Sequence, residues 1–487
     1  MAKILVVDTD EKGIEEIRKA ILHLNPDIKV NSYTTLNALH EEARKLKGTE
    51  LEDFFKFDMM ILDYMASKPA EWEAKLADLK AKNQIESTVC MTAFDDPAVN
   101  KKHIGSLKLF NIFYKPFDQL ILKESINIAL SSHKSVKPVE MRAQSFNSQI
   151  SILKEIELLS ISELGFLTLN DKAIPTGGAG KYFSGIFSHG KKQSAWAQCL
   201  MSIALPNKPG YFISKFQYVG MESGCLLSIR KFLVTNKKNN VPGSTWSLAA
   251  PTAINPVSIA LIDLLDDKAL AVKTDLETHF QNVTVEFIKL DPSKKTEPSE
   301  IHYDFVINLN SSLKYDDFKN RFAKDMKYFL VASEPLSDDR LKEFSEVYRD
   351  IFTMPLEKSY FYKKLKLHHK ALAMKDVNEV ASVSTSEKVK AANQVKISEI
   401  CELYVNVTYS RELPYGTHRD FVFMNEDENQ ITELPAFCNF AEKVKPKAGD
   451  KTESYFHQFI FFGMTDHYLK QIRIWLLQSF IQQNKRE

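Results

Sequence analysis

Short apolar runs alternate with amphipathic stretches along the first 133 residues. Ala2–Val7 is almost wholly apolar, and apolar residues then recur at helical spacing from Ile14 to Leu24. A short apolar run is typical of a strand buried on both faces, whereas spacing of three and four residues is typical of an amphipathic helix. The alternation continues to a last helical stretch over residues 117–132. It predicts a doubly wound parallel sheet over residues 1–133.

Polar side chains stand where the predicted strands of this sheet end. Asp8 follows the first strand and Asp63 the third, while Thr92 and Lys115 end the fourth and fifth. The carboxyl ends of parallel strands meet at one edge of a sheet, where such folds bind their ligands. The sequence therefore predicts that these four side chains form one site.

These residues and their order resemble the receiver domain of bacterial response regulators, over residues 1–133. The resemblance implies a flavodoxin-like fold in which Asp63 accepts a phosphoryl group from a sensor histidine kinase or a phosphotransfer protein. It also implies that Thr92 and Lys115 contact that group, since phosphoryl transfer depends on positioned positive charge. Pro116 fits the cis peptide bond that the family usually has at this point.

A bound Mg²⁺ is also implied by the resemblance, with Asp8, Asp10 and Asp63 as its ligands. Carboxylate oxygens together with phosphate and water are what Mg²⁺ prefers. The family usually has two adjacent acids after the first strand, but Thr9 stands in the second place. The alternative to a working phosphoacceptor is therefore a degenerate receiver that keeps the fold and has lost the chemistry.

A different pattern occupies residues 139–236, where short strands lie between Gly, Pro and Asn residues and a helical pattern ends the segment at Cys225–Leu233. This pattern predicts a small β-barrel with one helix. The stretches Ser160–Gly165 and Phe216–Gly220 resemble the turn and the last strand of the PilZ family. The segment is therefore predicted to be a PilZ domain.

PilZ domains commonly bind cyclic di-GMP through an R-x-x-x-R segment, whose guanidinium groups clamp phosphates and stack on guanine. Arg142 is the only arginine in that segment, and Phe146 stands four residues later. Ser162 and Gly165 match the family's turn, so with Arg142 they are the candidate nucleotide contacts. The missing arginine favours a degenerate PilZ domain that binds proteins over a cyclic di-GMP sensor.

The pair of domains is then repeated. A linker at 237–256 leads to a pseudo-receiver domain at 257–368, and a second linker at 369–390 leads to a second degenerate PilZ domain at 388–487. An old duplication with later insertions explains this order.

The second copy lacks the phosphoryl-handling groups of the first. When the second copy is aligned with the first, Leu309 replaces Asp63, Ala332 replaces Thr92 and Met354 replaces Lys115. Asp263 stands in the place of Asp8. Cys401 aligns with the turn glycine of the first PilZ domain. A lysine with no anionic partner is costly to bury, which explains why the groups are lost together.

Composition narrows the choice of partner. The chain has 487 residues, a net charge of +1 and five widely spaced cysteines. This balance predicts neither nucleic acid nor a membrane surface as the main partner, and the cysteines predict neither zinc nor disulfides. No apolar run predicts a signal peptide or membrane insertion, so a reducing, cytoplasmic location is expected. The basic run Lys363–Lys370 is expected on the exposed face of a helix.

The sequence predicts a signalling adaptor and no enzyme, because no set of nucleophile, base and orienting group lies outside the predicted receiver site. Phosphorylation of Asp63 would switch protein–protein contacts made by the PilZ and pseudo-receiver domains. Two alternatives stay open: a cyclic di-GMP sensor that uses the first PilZ domain, and a scaffold that works without phosphorylation. The downstream protein partner is not identified by the sequence.

Overall fold

The computed structural model divides the chain into two compact units. The first unit combines Met1–Leu153 with Gln394–Glu487, and the second is Lys154–Asn393. The residues that the structure describes are 2–68, 71–82, 88–94, 107, 109–131, 134–145, 149–189, 193–239, 246, 248, 255–262, 267–288, 302–310, 326–374, 380–425, 430–445 and 453–484.

The N-terminal α/β domain of the first unit spans residues 2–131. Its strands are β1 (Lys3–Val7), β2 (Lys29–Tyr33), β3 (Met59–Asp63), β4 (Thr88–Phe94) and β5 (Asn111–Lys115). Its helices are α1 (Glu11–Leu24), α2 (Leu36–Ala43), α3 (Thr49–Phe54), α4 (Trp72–Lys82) and α5 (Gln119–Leu130). The strands pair in parallel in the order β2-β1-β3-β4-β5, so the predicted doubly wound sheet is confirmed for this domain.

The C-terminal β domain completes the first unit. Its strands are β6 (Gln149–Ser162, of which the residues up to Leu153 belong here), β17 (Lys388–Ile400, from Gln394), β18 (Tyr404–Tyr409), β19 (His418–Asn425), β20 (Gln430–Val444) and β21 (Ser454–Phe461). They pair antiparallel in the order β6-β19-β20-β21-β18-β17, and α10 (Asp466–Asn484) follows. Tyr404 and Ile460 belong to the same buried cluster as the core of the N-terminal sheet, so the two domains share one core.

The second unit contains an α/β domain with the same strand order. Its strands are β11 (Val257–Ile262), β12 (Val283–Ile288), β13 (Phe305–Asn308), β14 (Lys327–Ala332) and β15 (Asp350–Thr353), in the order β12-β11-β13-β14-β15. Its helices are α7 (Asp267–His279), α8 (Asp338–Ser345) and α9 (Lys358–His368). All of its strand pairs are parallel.

An antiparallel β domain completes the second unit. It contains the remaining residues of β6 and β17 with β7 (Gly165–Asn170), β8 (Ala179–Phe183), β9 (Ser194–Ala204), β10 (Phe212–Val219), β16 (Ser382–Ser384) and helix α6 (Ser223–Thr235). The order is β16-β6-β7-β10-β9-β8-β17. The small glycine at 165 allows β7 to approach β10, because a Cβ there would lie 1.9 Å from the carbonyl oxygen of Phe216.

Both predicted linkers contain residues that belong to the fold. Trp246 is fully buried in the core of the second unit, and Ser382–Ser384 forms a strand paired with β6. The prediction of a plain linker is therefore wrong at these residues, since one apolar side chain or a three-residue strand leaves little periodic signal. Within the described residues, no helix is both long enough and apolar enough to cross a membrane.

Candidate functional site at the edge of the N-terminal sheet

The four predicted site residues meet at the carboxyl ends of the strands of the N-terminal sheet. Asp8 follows β1, Asp63 is the last residue of β3 and pairs in register with Thr92 of β4, and Lys115 ends β5. Asp8, Asp63 and Thr92 are fully buried, and Lys115 is 7% exposed. Buried charges need partners, so their contacts decide the character of the site.

Asp8 is the centre of this group. The Lys115 ammonium donates to its Oδ1 at 2.6 Å, and the Thr92 hydroxyl donates to its Oδ2 at 3.0 Å. The backbone amide of Asp10 donates to Oδ1 at 2.9 Å. Burial raises the pKa of Asp8, and the hydrogen bond from Lys115 opposes that rise. The lysine thus stabilises a carboxylate that would otherwise be costly to keep ionised.

Asp63 is held by Thr9 and by the lysine. The amide of Thr9 donates to Asp63 Oδ2 at 3.1 Å, and the Thr9 hydroxyl makes a shorter hydrogen bond to the same oxygen. The amide of Met65 donates to Oδ1 at 3.2 Å, and the Lys115 ammonium lies 3.8 Å from Oδ1. Thr9 is exposed, so its side chain covers Asp63 from the solvent side.

The three predicted metal ligands are not equivalent. Asp10 is the N-cap of α1, and its side chain accepts from the amide of Lys12 at 3.1 Å. Among the described residues, no three His, Cys, Asp or Glu side chains are grouped so that they could hold a metal ion. Asp8 and Asp63 remain, and two carboxylates with phosphate and water suit Mg²⁺.

Sequence reasoning missed two residues that shape the site. The Phe94 ring is half exposed, and the Lys115 ammonium lies 5.0 Å from its centroid. A Cβ at Gly13 would lie 3.1 Å from Asp8 Oδ2, so helix α1 approaches that carboxylate closely. A glycine inside a helical pattern was the available signal for the second, because glycine there is otherwise unfavourable.

The equivalent edge of the second sheet carries other side chains. The registers of β11 and β13 place Leu309 where Asp63 stands, as predicted, and Met354 follows β15. The hydroxyl position is Val331, which pairs with Phe352; the predicted Ala332 is wrong by one residue, because an apolar strand offers no marker of register. Asp263 lies outside the described residues.

The candidate nucleotide contacts fall in different units. Arg142 is exposed and belongs to the first unit, whereas Ser162 and Gly165 belong to the second. The Ser162 hydroxyl accepts from the amides of Leu164 and Gly165, both at 3.2 Å. It therefore satisfies the backbone of its own turn.

The β domains align differently from the sequence prediction. Strand pairing makes Ile400 equivalent to Ile161, so Cys401 takes the place of Ser162 and Tyr404 the place of Gly165. The predicted match of Cys401 to the turn glycine is wrong, because the identical Ile-Ser-Glu triplets at 161–163 and 397–399 lie at different places in their strands.

The basic run of α9 is buried, contrary to expectation. Lys364 is fully buried, and Lys363 and Lys366 are 8% and 3% exposed. The Lys364 ammonium lies 2.7 Å from Asp350 Oδ2 and donates to the carbonyl oxygen of Tyr218 at 2.6 Å. Partners supplied by distant segments allow this burial, and the local sequence does not show them.

No family model matches the chain, and no curated protein matches it. A solved response regulator receiver protein from Burkholderia phymatum is 16% identical, over 27% of this chain and 96% of that chain, with a TM-score of 0.22. The signal receiver domain of a DNA-binding response regulator from Colwellia psychrerythraea is 17% identical, over 26% and 96%, with a TM-score of 0.21.

Proposed function

We propose that this chain is a signal-transduction adaptor of the response-regulator type, in which Asp63 accepts a phosphoryl group. The observation that carries the proposal is the convergence of Asp8, Asp63, Thr92 and Lys115 at one edge of the N-terminal sheet. Two carboxylates, one hydroxyl and one ammonium are the groups that phosphoryl transfer to a carboxylate requires. The donor would be a phosphohistidine of a sensor kinase or phosphotransfer protein.

The step is a displacement at phosphorus. A carboxylate oxygen of Asp63 bonds to phosphorus, the phosphorus–nitrogen bond to the donor histidine breaks, and the imidazole leaves with the electron pair. Lys115 would exchange part of its contact with Asp8 for the new phosphoryl oxygens, and the Thr92 hydroxyl would donate to one of them. Mg²⁺ held by Asp8 and Asp63 would neutralise charge on the phosphoryl oxygens during the step.

The response would be a change in protein–protein contacts. A phosphoryl group adds about 1.5 to 2 negative charges and three strong acceptors, which suffices to reposition Lys115 and Thr92. The β domains, which we regard as degenerate PilZ domains, and the second α/β domain, a pseudo-receiver derived by duplication, would present the binding surfaces. The output is adaptor-like and not enzymatic in this proposal.

Thr9 supports a second candidate, a scaffold that works without phosphorylation. Its hydroxyl and amide both occupy Asp63 Oδ2, so this oxygen must lose a hydrogen bond before it can react. Thr9 also stands where a second acid would bind the metal ion. If the hydrogen bonds of Thr9 outweigh the gain from phosphorylation, the site is purely structural.

Intact-mass measurement of the full chain with Mg²⁺ and acetyl phosphate separates the two candidates. We expect the mass of one phosphoryl group to be gained by the native chain and not by Asp63→Asn. Thr9→Asp should increase the rate of the gain, because it supplies a third carboxylate and removes the hydroxyl hydrogen bond to Asp63 Oδ2. No gain in either the native chain or Thr9→Asp would favour the scaffold.

A further inference from the structure

A cavity of about 260 Å³ lies inside the first unit, between β5 and α5 on one side and the C-terminal β domain on the other. Beside it the side-chain amide of Asn111 donates to the carbonyl oxygen of Phe461 at 3.3 Å and accepts from the amide of Gly463 at 3.0 Å. Apolar side chains supply most of the lining, among them Ile121, Leu122, Leu403, Met464 and Leu469. A concave, largely apolar space with a few polar groups is typical of a site for a small organic molecule.

The second unit carries larger side chains at the equivalent positions. Its strand β15 and helix α9 follow one another at the same spacing as β5 and α5, so Asp350 stands at the position of Asn111. By the same spacing Tyr360, Phe361 and Lys364 stand where the first unit has Ile121, Leu122 and Ser125. All three larger side chains are buried.

Lys364 shows how the second unit uses this position. Its ammonium lies 2.7 Å from Asp350 Oδ2 and donates to the carbonyl oxygen of Tyr218 at 2.6 Å, so its side chain reaches from α9 to the neighbouring β domain. Ser125 is much shorter and leaves that path open. Because protein interiors are close-packed, three smaller residues on one side of α5 make the cavity a distinctive feature of the first unit.

Ser125 places a hydroxyl group on the inner wall of the cavity. The residue is 2% exposed, and within the described part of the chain its hydroxyl makes no hydrogen bond. A buried hydroxyl without a partner is costly. A molecule in the cavity that carries a hydrogen-bonding group would supply the missing partner.

Asp466 places a carboxylate at the mouth of the cavity. It is the first residue of α10, it is exposed, and it forms no ion pair with any residue that the structure describes. The other two charged groups of the lining have partners: Arg473 donates to Asp118 at 3.1 Å, and the Lys115 ammonium donates to Asp8. The mouth therefore offers one carboxylate to a cation.

The second unit lacks this carboxylate as well. Its helix α6 begins with Ser223, three residues after Gly220, just as α10 begins with Asp466 three residues after Gly463. Both glycines have a positive φ, of 62° and 63°, so the two turns are equivalent. The space, the inner hydroxyl and the outer carboxylate thus occur together in the first unit and are replaced together in the second.

We propose that this cavity binds a small aromatic amine. The ammonium group would pair with Asp466 at the mouth, the ring would pack against the apolar lining beside Phe117 and Phe461, and a polar group at the far end would bond Ser125. The inference goes beyond the proposed function and does not depend on it, because Asp63 does not line the cavity.

Tyramine is the probe, because it has a phenolic hydroxyl, a ring and a primary amine in that order. Titration calorimetry of the full chain should give one bound tyramine per chain, with a dissociation constant on the order of 1 mM or tighter for a ligand of this size. 4-Ethylphenol, which lacks the amine, should bind roughly threefold more weakly, since an exposed ion pair contributes little.

Two variants separate the parts of the site. Asp466→Ser, which introduces the residue of the second unit, should weaken tyramine by roughly threefold and leave 4-ethylphenol unchanged. Ser125→Met should weaken both by more than about tenfold, because its side chain fills the space. Ser223→Asp, the matched control, gives the second unit a carboxylate without the space and should change neither affinity nor stoichiometry. Asp63→Asn should bind tyramine like the native chain, whether or not the native chain accepts a phosphoryl group.

The absence of saturable binding by the native chain would overturn the site, as would equal affinities in the native chain and Ser125→Met. Loss of binding in Ser125→Met with an unchanged tyramine affinity in Asp466→Ser would overturn the amine as the ligand class. If Ser125→Met fails to fold, hydrogen exchange of the native chain decides. Tyramine must then slow the exchange of the α5 amides, and unchanged exchange counts against the site.

Discussion

The two units use one framework and place their buried charges differently. Each unit has a parallel sheet with the same strand order, together with an antiparallel sheet. In the first unit β6 pairs with β19 and β17 pairs with β18, whereas in the second β6 pairs with β7 and β17 pairs with β8, so each of the two strands has the other's position. The first unit buries charge at the strand ends, with Lys115 between Asp8 and Asp63. The second buries its charge where the two domains meet, with Lys364 against Asp350.

The buried charges belong to the candidate site in the first unit and to the contact between two domains in the second. A charge at the edge of a sheet can interact with a ligand, whereas a charge enclosed between two domains can interact only with its internal partner. The enclosed pair is expensive to form, and breaking it by removing one partner is more expensive still. In the proposed function, the first unit is therefore the one that reacts, and the second is a framework held by its enclosed ion pair.

Removal of the buried Lys364 ammonium should have the largest effect on stability. Lys364→Met leaves Asp350 buried without a partner and should lower the free energy of unfolding of the second unit by about 3 to 5 kcal/mol. Burial already raises the pKa of Asp350. Urea denaturation, with hydrogen exchange to identify the unit, measures the loss.

One control is the double variant Asp350→Asn with Lys364→Met, which gives the second unit an uncharged contact like that of the first. The other is Ser125→Met, which places the same methionine at the equivalent position of the first unit. The double variant should recover at least half of the loss. A single variant as stable as the double would show that the ion pair does not fix the second unit.

The second largest effect should come from Lys115→Met. It should lower the free energy of unfolding of the first unit by about 2 to 3 kcal/mol, as expected for the loss of hydrogen bonds to charged groups. The pKa of Asp8 would rise further, because the lysine's hydrogen bond now opposes the effect of burial. The folded state would then bind the proton more tightly than the unfolded state. Stability should therefore fall as the pH rises from the ordinary value of 3.8 through the raised pKa of Asp8. Unfolding curves at pH 4 and pH 7 check this, and an equal loss at both would contradict it.

Gly165→Ala should destabilise the second unit by about 1 to 3 kcal/mol, because overpacking forces the backbone to shift. Its Cβ would lie 1.9 Å from the Phe216 oxygen and 2.5 Å from the Trp246 ring, whereas a Cβ at Gly185 meets nothing within 4 Å. The first unit tolerates Tyr404 at the equivalent place. Thermal unfolding of Gly165→Ala beside Gly185→Ala measures the difference, and equal melting temperatures would contradict it.

The smallest effects should come from the paired arginines. Arg230 bonds Glu163 and Glu357, and Arg473 bonds Asp118 and Glu402. Each arginine is about one-third to one-half exposed, so Arg230→Ala and Arg473→Ala should each cost roughly 0.2 to 1 kcal/mol. Denaturation in low and high salt checks this, since a loss that persists in high salt would indicate packing in place of charge.

Much of the first sheet could be predicted, because apolar runs and polar strand ends are local features. The pattern identified Asp8, Asp63, Thr92 and Lys115, which the structure brings together. It could not identify Thr9 as a hydrogen-bond donor to Asp63, because that contact depends on the turn after β1. Nor could it place Val331 at the hydroxyl position, since register within an apolar strand is set by its neighbours.

The burial of Lys364 was beyond sequence reasoning for a different reason. One of its partners, Asp350, lies on strand β15. The other, the carbonyl of Tyr218, belongs to strand β10 of the neighbouring β domain. A lysine on a helix is ordinarily exposed, and only the assembled contact reverses that expectation. Trp246 illustrates the same limit, since a single buried residue within a polar stretch has no periodicity.

The first unit is built from two segments that lie far apart in the chain, and this determines the order in which its parts are synthesised. Its N-terminal sheet emerges early from the ribosome, but the surface that covers β5 is supplied by residues 394–487, which are translated on the order of tens of seconds later. Until then Asn111 and its apolar neighbours remain uncovered. The nascent chain thus passes through a stage in which the residues of the N-terminal domain are already synthesised and the surface beside β5 still lacks the C-terminal residues that cover it.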